Sequence, residues 1–312
     1  MKIVIRFIST ILLFSGCNQI AYVIPEKDLI PEGITYSYTT NSFYISSIKK
    51  TKIIQVNAGN GTCNDYISSE LLGLSFLGMI VDDSNGHLWA CGNKVENNVQ
   101  YSAVTKFNLK SGELIKSYLH TDTSSFLFND LTQDKNGNVY ITNSRRNEIY
   151  RIDFETDSIS LFFESDQIEH PNGITISPDN KYLYIASTDK GIRVLDIEKL
   201  VILGEFDSTI NSTGIDGLKY YKNSLIGIQN AVEEESQIKI ARYFLDESGT
   251  KIIKMEIIDQ NNPLFDIPTT LVVVDNHIYC LANSQLKNLK NPSNEIIDPM
   301  ALKNILLLKY KL

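Results

Sequence analysis

The feature that most limits the fold of this chain is an internal repeat. The segments Glu32-Gly33-Ile34-Thr35-Tyr36, Leu77-Gly78-Met79-Ile80-Val81 and Asn129-Asp130-Leu131-Thr132-Gln133 match one another. So do Asn172-Gly173-Ile174-Thr175-Ile176, Asp216-Gly217-Leu218-Lys219-Tyr220 and Thr269-Thr270-Leu271-Val272-Val273. Each opens on a residue of variable polarity, continues with a small or short one, and runs into an apolar strand. A polar turn and a second apolar strand follow, as at 88–90, 139–141, 182–185 and 278–281, which is a hairpin pattern. A third strand is clearest at 148–153 and 191–196 and looser at 103–109, 238–244 and 305–310. A fourth is expected at 114–119, 159–163, 201–206 and 252–258. The steps between the first positions of the six segments are 45, 52, 43, 44 and 53 residues. Four short strands in a step of roughly 40–50 residues describe one β-propeller blade. The expectation is an all-β, six-bladed β-propeller of four-stranded antiparallel blades around a central channel, one domain over residues 31–312. A β-sandwich made of similar hairpins would not keep one register along the whole chain.

Composition agrees with this and removes some functions. The 312 residues carry 29 Lys+Arg against 37 Asp+Glu, a formal net charge of −8. With no basic excess to displace phosphate counterions, a nucleic-acid partner is not expected. The 16 Tyr and 13 Phe against a single Trp favour half-buried pleated surfaces. No Gly-rich phosphate loop, Gly-x-Ser-x-Gly elbow or His-Glu-x-x-His motif is present.

Residues 1–17 read as a targeting segment. Lys2 and Arg6 give a positive start, residues 7–14 are largely apolar, and Ser15-Gly16-Cys17 closes the run. The stretch is too short to span a bilayer permanently. The small pair before Cys17 resembles a bacterial lipoprotein box, which makes Cys17 the lipidated first mature residue and the chain an exported, membrane-anchored protein. The alternative is an ordinary cleaved signal with an incidental cysteine. Removal of this segment takes two cations with it and leaves 27 against 37, a formal −10. Residues 18–30 are expected to form an N-terminal segment ahead of the propeller. Of the remaining cysteines, Cys63 and Cys91 would lie on neighbouring repeats and are the better candidates for a disulfide with Cys280 free; three unpaired thiols are the alternative.

In a propeller the innermost strand of each blade runs along the channel, so residues just ahead of those strands meet at one mouth. Those positions are Glu32, Leu77, Asn129, Asn172, Asp216 and Thr269. Two carboxylates and two amides, all oxygen donors, converge there. Such a set suits a hard cation, and calcium, with its six to eight oxygens in flexible geometry, fits best. Asn-Gly and Asp-Gly are also common turn pairs, so each residue alone could be a turn residue. Asn143, His170, Gln229 and Asn283 fall near the same mouth and could line a pocket or serve as edge residues. His87 and His277 fall in hairpin turns at the opposite face and are expected to be solvated. The run Glu233-Glu234-Glu235 is expected in a solvated loop.

Pro31-Glu32-Gly33, Asn129-Asp130, Pro171-Asn172-Gly173 with Ile176-Ser177-Pro178-Asp179, and Asp216-Gly217 together resemble the calcium-dependent propeller family of gluconolactonase and regucalcin. Diisopropyl fluorophosphatase and the paraoxonases look like more distant relatives. The resemblance covers about 32–312. It implies that Glu32, Asn172 and Asp216 bind a catalytic calcium, with Asn129 as a further ligand or a hydrogen-bonder to water and substrate. Sugar lactonases of this kind often carry an Arg two residues before the blade 3 Asn, where this chain has Leu127. Paraoxonases carry a His where it has Leu77. The implied cage is therefore retained and the substrate wall differs. The expected activity is metal-assisted hydrolysis of a small-molecule lactone or ester, with Asp216 as general base or nucleophile. A non-catalytic propeller that binds a ligand or protein and uses calcium as an axial plug is the alternative, since a fold does not fix a function.

Overall fold

The computed structural model describes residues 19–97, 99–122, 125–204, 209–230, 234–290 and 293–312. Cys17 and the rest of the targeting segment lie outside the described residues, as does Glu233. Six four-stranded antiparallel sheets are arranged as the blades of a propeller. Blade 1 comprises Pro31–Ser37, Ser42–Ser47, Ile53–Asn57 and Cys63–Ile67, from the channel outward. Blade 2 comprises Ser75–Asp82, His87–Glu96, Val99–Asn108 and Leu114–Asp122, and blade 3 comprises Phe128–Gln133, Val139–Asn143, Glu148–Asp153 and Ser158–Glu164. Blade 4 is built from Pro171–Ile176, Tyr182–Ser187, Gly191–Asp196 and Val201–Leu203, and blade 5 from Ile215–Tyr220, Ser224–Gln229, Lys239–Leu245 and Ile252–Gln260.

Blade 6 is assembled from both ends of the chain. Leu271–Val274, His277–Leu281 and Ile305–Lys311 come from the C-terminal part, and Gln19–Ile24 adds the outer strand. That strand pairs antiparallel with Ile305–Lys311, Gln19 opposite Lys309 and Ile24 opposite Ile305. The residues ahead of blade 1 are therefore part of the propeller and close its ring. Pairing with Gln19–Ile24 covers the edge of Ile305–Lys311 and gives blade 6 its fourth strand.

A blade is apolar on both faces because each face meets a neighbouring blade. Successive side chains of a strand point to opposite faces. In blade 1, Phe43 and Ile45 join the cluster shared with blade 6, whereas Tyr44 between them joins the cluster shared with blade 2. Six such apolar clusters lie between adjacent blades, one for each interface. Truncating a fully buried ring such as Phe43 to alanine costs about 3–5 kcal/mol.

The three described cysteines are free. Cys63 lies on the outer strand of blade 1, and Cys91 is fully buried on the second strand of blade 2 beside Trp89 and Phe128. The two occupy different sheets, so adjacency of their repeats does not bring them together. His87 and His277 begin second strands at the turn face and are partly buried rather than fully solvated. Burial and the nearby Lys106 ammonium hold the His87 imidazole below its usual pKa. Among the described residues no helix is long and apolar enough to cross a membrane. Glu234 is exposed and precedes the short 3-10 turn Glu235–Gln237.

Candidate active site at the channel mouth

The inner strands of blades 1 to 5 share one irregularity. The pairing register between first and second strands skips from Pro31 to Ile34, Phe76 to Met79, Phe128 to Leu131, Pro171 to Ile174, and Ile215 to Leu218. Each skip is a β-bulge, and its two unpaired residues are Glu32-Gly33, Leu77-Gly78, Asn129-Asp130, Asn172-Gly173 and Asp216-Gly217. A bulge bends its strand and re-aims side chains that a regular ladder would send into the neighbouring blade. The repeat positions thus converge because each occupies the same bulge.

The second bulge residue explains the glycines. A Cβ on Gly33 would lie 2.1 Å from the Leu77 carbonyl oxygen of blade 2, and one on Gly173 would lie 2.3 Å from the Asp216 carbonyl oxygen of blade 5. Each bulge nests against the next blade so closely that only glycine fits. Gly78 and Gly217 pack onto blades 3 and 6 in the same way. Blade 3 breaks the pattern with Asp130.

All six blades line a cavity of about 10 Å³ on the axis, through Glu32, Gly78, Asp130, Asn172, Asp216, Gly217 and Thr270. That volume is about one water-sized sphere. Asp216 Oδ2 accepts a 2.7 Å hydrogen bond from Asn230 Nδ2, whose amide also donates to the Pro268 carbonyl. Burial pushes the Asp216 carboxyl up to about 7, against the hydrogen bonds from Asn230 and Asn172 and helped by the charge of Asp130. Burial, then the charges of Asp216 and Asp130, hold the Glu32 carboxyl well above the usual range, with Lys219 opposing them. Asn129 donates from Nδ2 to Ser144 Oγ at 2.8 Å, and Ser144 donates to the Pro171 carbonyl at 2.5 Å. With its nitrogen fixed in this way, the buried Oδ1 of Asn129 has no hydrogen-bond partner.

Asn172 also belongs to a second cavity, about 380 Å³, that opens beside the axis. Ser125, Leu127, Ser144, Arg145, His170 and Thr188 complete its wall. His170 and Leu127 thus face this space. His170 is exposed and its Nδ1 lies 2.7 Å from Asp189 Oδ2. Glu169, His170 and Asp189 form a rim cluster whose ligand atoms lie within 4.8 Å of one another, and Lys190 already pairs with Glu169 at 3.1 Å.

Other residues expected near the mouth do structural work. Asn143 is fully buried; its Oδ1 accepts from the Leu127 and Arg145 backbone N–H groups and its Nδ2 donates to Glu148, so it ties down the loop instead of lining the cavity. Thr269, also fully buried, donates from Oγ1 to the Glu32 carbonyl and clasps blade 6 to blade 1, while its neighbour Thr270 reaches the axial cavity. The Leu77 side chain packs into the core between blades 2 and 3 with Phe128. Gln229 donates to Asn211 and to the Thr213 carbonyl, and Asn283 bridges the Asn304 carbonyl and the Leu306 N–H. Sequence reasoning missed Asp130, Arg145, Asn230 and Thr270. Asp130 carried a signal, as the one charged residue among the second positions of the repeat; Arg145, in a loop after a second strand, carried none.

This is a six-bladed β-propeller with a carboxylate- and amide-lined bulge ring at one mouth of its channel. The chain belongs to the SMP-30/gluconolactonase/LRE-like family, whose model matches residues 30–200. No individual protein of curated function matches it. Among solved structures, the Malassezia sympodialis allergen Mala s 1 is similar at 15% identity and TM-score 0.66, over 93% of this chain and 94% of that one. Virginiamycin B lyase from Staphylococcus aureus is similar at 18% identity and TM-score 0.62, over 93% and 98%. A gluconolactonase from Xanthomonas campestris is similar at 12% identity and TM-score 0.57, over 93% and 87%. At these identities the likeness concerns the fold.

Proposed function

We propose that the protein is an exported, calcium-dependent hydrolase that opens a small lactone or ester. The carrying observation is the axial ring: buried Glu32 and half-buried Asp216 line one small cavity with their carboxyls pushed up, and the buried Asn129 Oδ1 is unpartnered. Buried like charges and an orphaned carbonyl are costly unless a cation pairs them. A cavity of one-ion size, lined by oxygen donors with no sulfur or imidazole, fits a hard divalent ion. Glu32, Asn172 and Asp216 would hold it, with Asn129 as an additional donor. When bound, the ion would supply a Lewis acid for the acyl oxygen and its developing charge.

The chain's own residues do the rest. Asp216 takes the proton from water as it attacks the acyl carbon and the alkoxide leaves, or its carboxylate displaces the alkoxide and water then hydrolyses the acyl group from it; Asn230 orients that carboxylate through the 2.7 Å hydrogen bond. The adjoining cavity receives the substrate, with Leu127 as an apolar wall. The Arg145 guanidinium is exposed there and makes no ion pair among the described residues, which suits an anionic group on the substrate. The family membership and the gluconolactonase among the structural neighbours support this reading.

Anchoring by a lipid on Cys17 would also orient the molecule. Gln19 pairs with Lys309 at the end of blade 6 remote from the mouth, and Ile24 pairs with Ile305 at the mouth end. A lipid two residues before Gln19 would put the membrane at the turn face and leave the mouth open to solvent. The test of function is a panel of lactones, aryl esters and phosphotriesters, run on the mature protein with and without chelator beside calcium titration. Chelator-sensitive turnover of a lactone or ester supports the reading. Calcium binding with no turnover anywhere in the panel points instead to a binding propeller with a structural ion.

A further inference from the structure

Comparison of the six repeats isolates two residues. The second position reads Gly33, Gly78, Asp130, Gly173, Gly217 and Thr270; the fourth reads Thr35, Ile80, Thr132, Thr175, Lys219 and Val272. One acid breaks the first series and one base breaks the second. The structure brings these two departures together: Lys219 of blade 5 reaches across to blade 3, its Nζ 3.3 Å from Asp130 Oδ2. Their side chains are 19% and 9% exposed, so the pair lies inside the channel. Asp130 is also held by the Ile174 N–H of blade 4, at 3.2 Å. Its Oδ1 side has space only because blade 2 carries a glycine, since a Cβ on Gly78 would lie 2.5 Å from that oxygen.

Asp130 shares the axial cavity with Glu32 and Asp216. Three carboxylates in so small a space exceed the charge of one divalent ion. With the Lys219 ammonium, three negative charges less one positive leave a formal −2, which one divalent ion cancels. We propose that Lys219 is a tethered internal cation that neutralises Asp130, takes the place of a second metal ion, and sets the channel to accept one exchangeable divalent cation. This rests on the metal-dependent reading above. A lysine is suited to the role because its ammonium is a compact point charge on a stem long enough to cross the channel. Threonine at the equivalent Thr175 could not supply it.

The test counts ions and compares valences on the mature protein by equilibrium dialysis with calcium and competition with terbium. Wild type should bind one calcium. Lys219→Met leaves a formal −3, so it should take up more positive charge, seen as a second calcium or as a terbium-over-calcium preference raised on the order of tenfold or more. Asp130→Asn should do the reverse and weaken calcium on the order of tenfold. The double variant Asp130→Asn/Lys219→Met restores −2 and should return to one calcium and the wild-type preference; it also answers the concern that Lys219→Met might merely misfold. Lys219→Met with one calcium and an unchanged preference overturns the proposal and leaves the metal-dependent function standing. A wild type that binds no calcium overturns that function, and this inference with it.

Discussion

At the turn face of the propeller, Asp179 sits in a hairpin turn and Asp153 and Asp196 end the strands that lead into one. At the mouth, Glu32 and Asp216 sit in bulges. The turn acids accept hydrogen bonds from nearby donors: Asp153 from the Thr156 N–H, Asp179 from the Ser177 hydroxyl and the Lys181 N–H, Asp196 from the Lys199 and Glu198 N–H groups. Those bonds hold all three below the usual carboxylate range. The mouth acids share one small cavity with Asp130, and both are pushed up. Carboxylates are thus used in two ways. Local hydrogen bonds make the turn acids part of the fold, whereas the mouth acids store a repulsion that only protons or a cation relieve.

Breaking the mouth side should have the largest effect. Asp216→Asn keeps the shape and removes the base, so chelator-sensitive kcat/KM should fall on the order of a thousandfold or more. The same variant should make the metal-free protein more stable at neutral pH, because it removes one of the like charges that share the cavity. A paired activity assay and thermal melt in chelator check this. Full turnover, or a metal-free variant less stable than wild type, contradicts the role given to Asp216.

The pH dependence sharpens the contrast through its sign. The raised folded-state pKa of Asp216, about 7 against an ordinary 3.8, means that the metal-free fold holds a proton the unfolded chain has released. Stability should therefore fall as pH rises from about 4 to about 7, with Glu32 acting in the same direction. The turn acids, with lowered values, lose their contribution only as pH falls below the ordinary carboxylate range. In chelator the melting temperature should peak near pH 4–5 and drop by roughly several degrees by pH 8; saturating calcium should remove that drop. A smaller effect is expected at the cavity rim. Arg145→Ala should raise KM for an anionic substrate roughly tenfold, with kcat nearly unchanged and little effect on a neutral one.

The repeat made the blades legible because a variable residue followed by a small or short one recurs at the same place in each blade, and nested backbones demand a glycine in four of the five bulges. The bulge itself was not legible. Strand alternation would send Asn129 and Asp130 to opposite faces, yet a bulge leaves both residues near the axis. Asn129 supplies a buried orphan oxygen and Asp130 lines the cavity. Closure of blade 6 by Gln19–Ile24 depends on pairing with residues almost three hundred positions away, which no local pattern records. Thr269 shares the register of the site residues, but blade 6 shows no such skip between Leu271–Val274 and His277–Leu281, and its hydroxyl turns to the Glu32 carbonyl.

The smallest expected effect is at the turn face, and it separates a fold acid from a site acid. Ser177 is 5% exposed and acts as the hub of the blade 4 turn. Its hydroxyl donates to Asp179 at 2.7 Å and accepts from the Lys181 and Tyr182 N–H groups at 3.1 and 2.9 Å. Ser177→Ala takes the hydroxyl acceptor from the Tyr182 N–H, leaves the Lys181 N–H with Asp179 alone, and removes the hydroxyl that holds Asp179. The cost should be about 1 kcal/mol, a drop of roughly 2–4 °C in a domain of this size. Because the hydrogen bonds there are local, calcium affinity and the pH dependence set by Asp216 should not move. If the two ends of the blades were electrostatically coupled, the pH profile in chelator would shift along with the melting temperature.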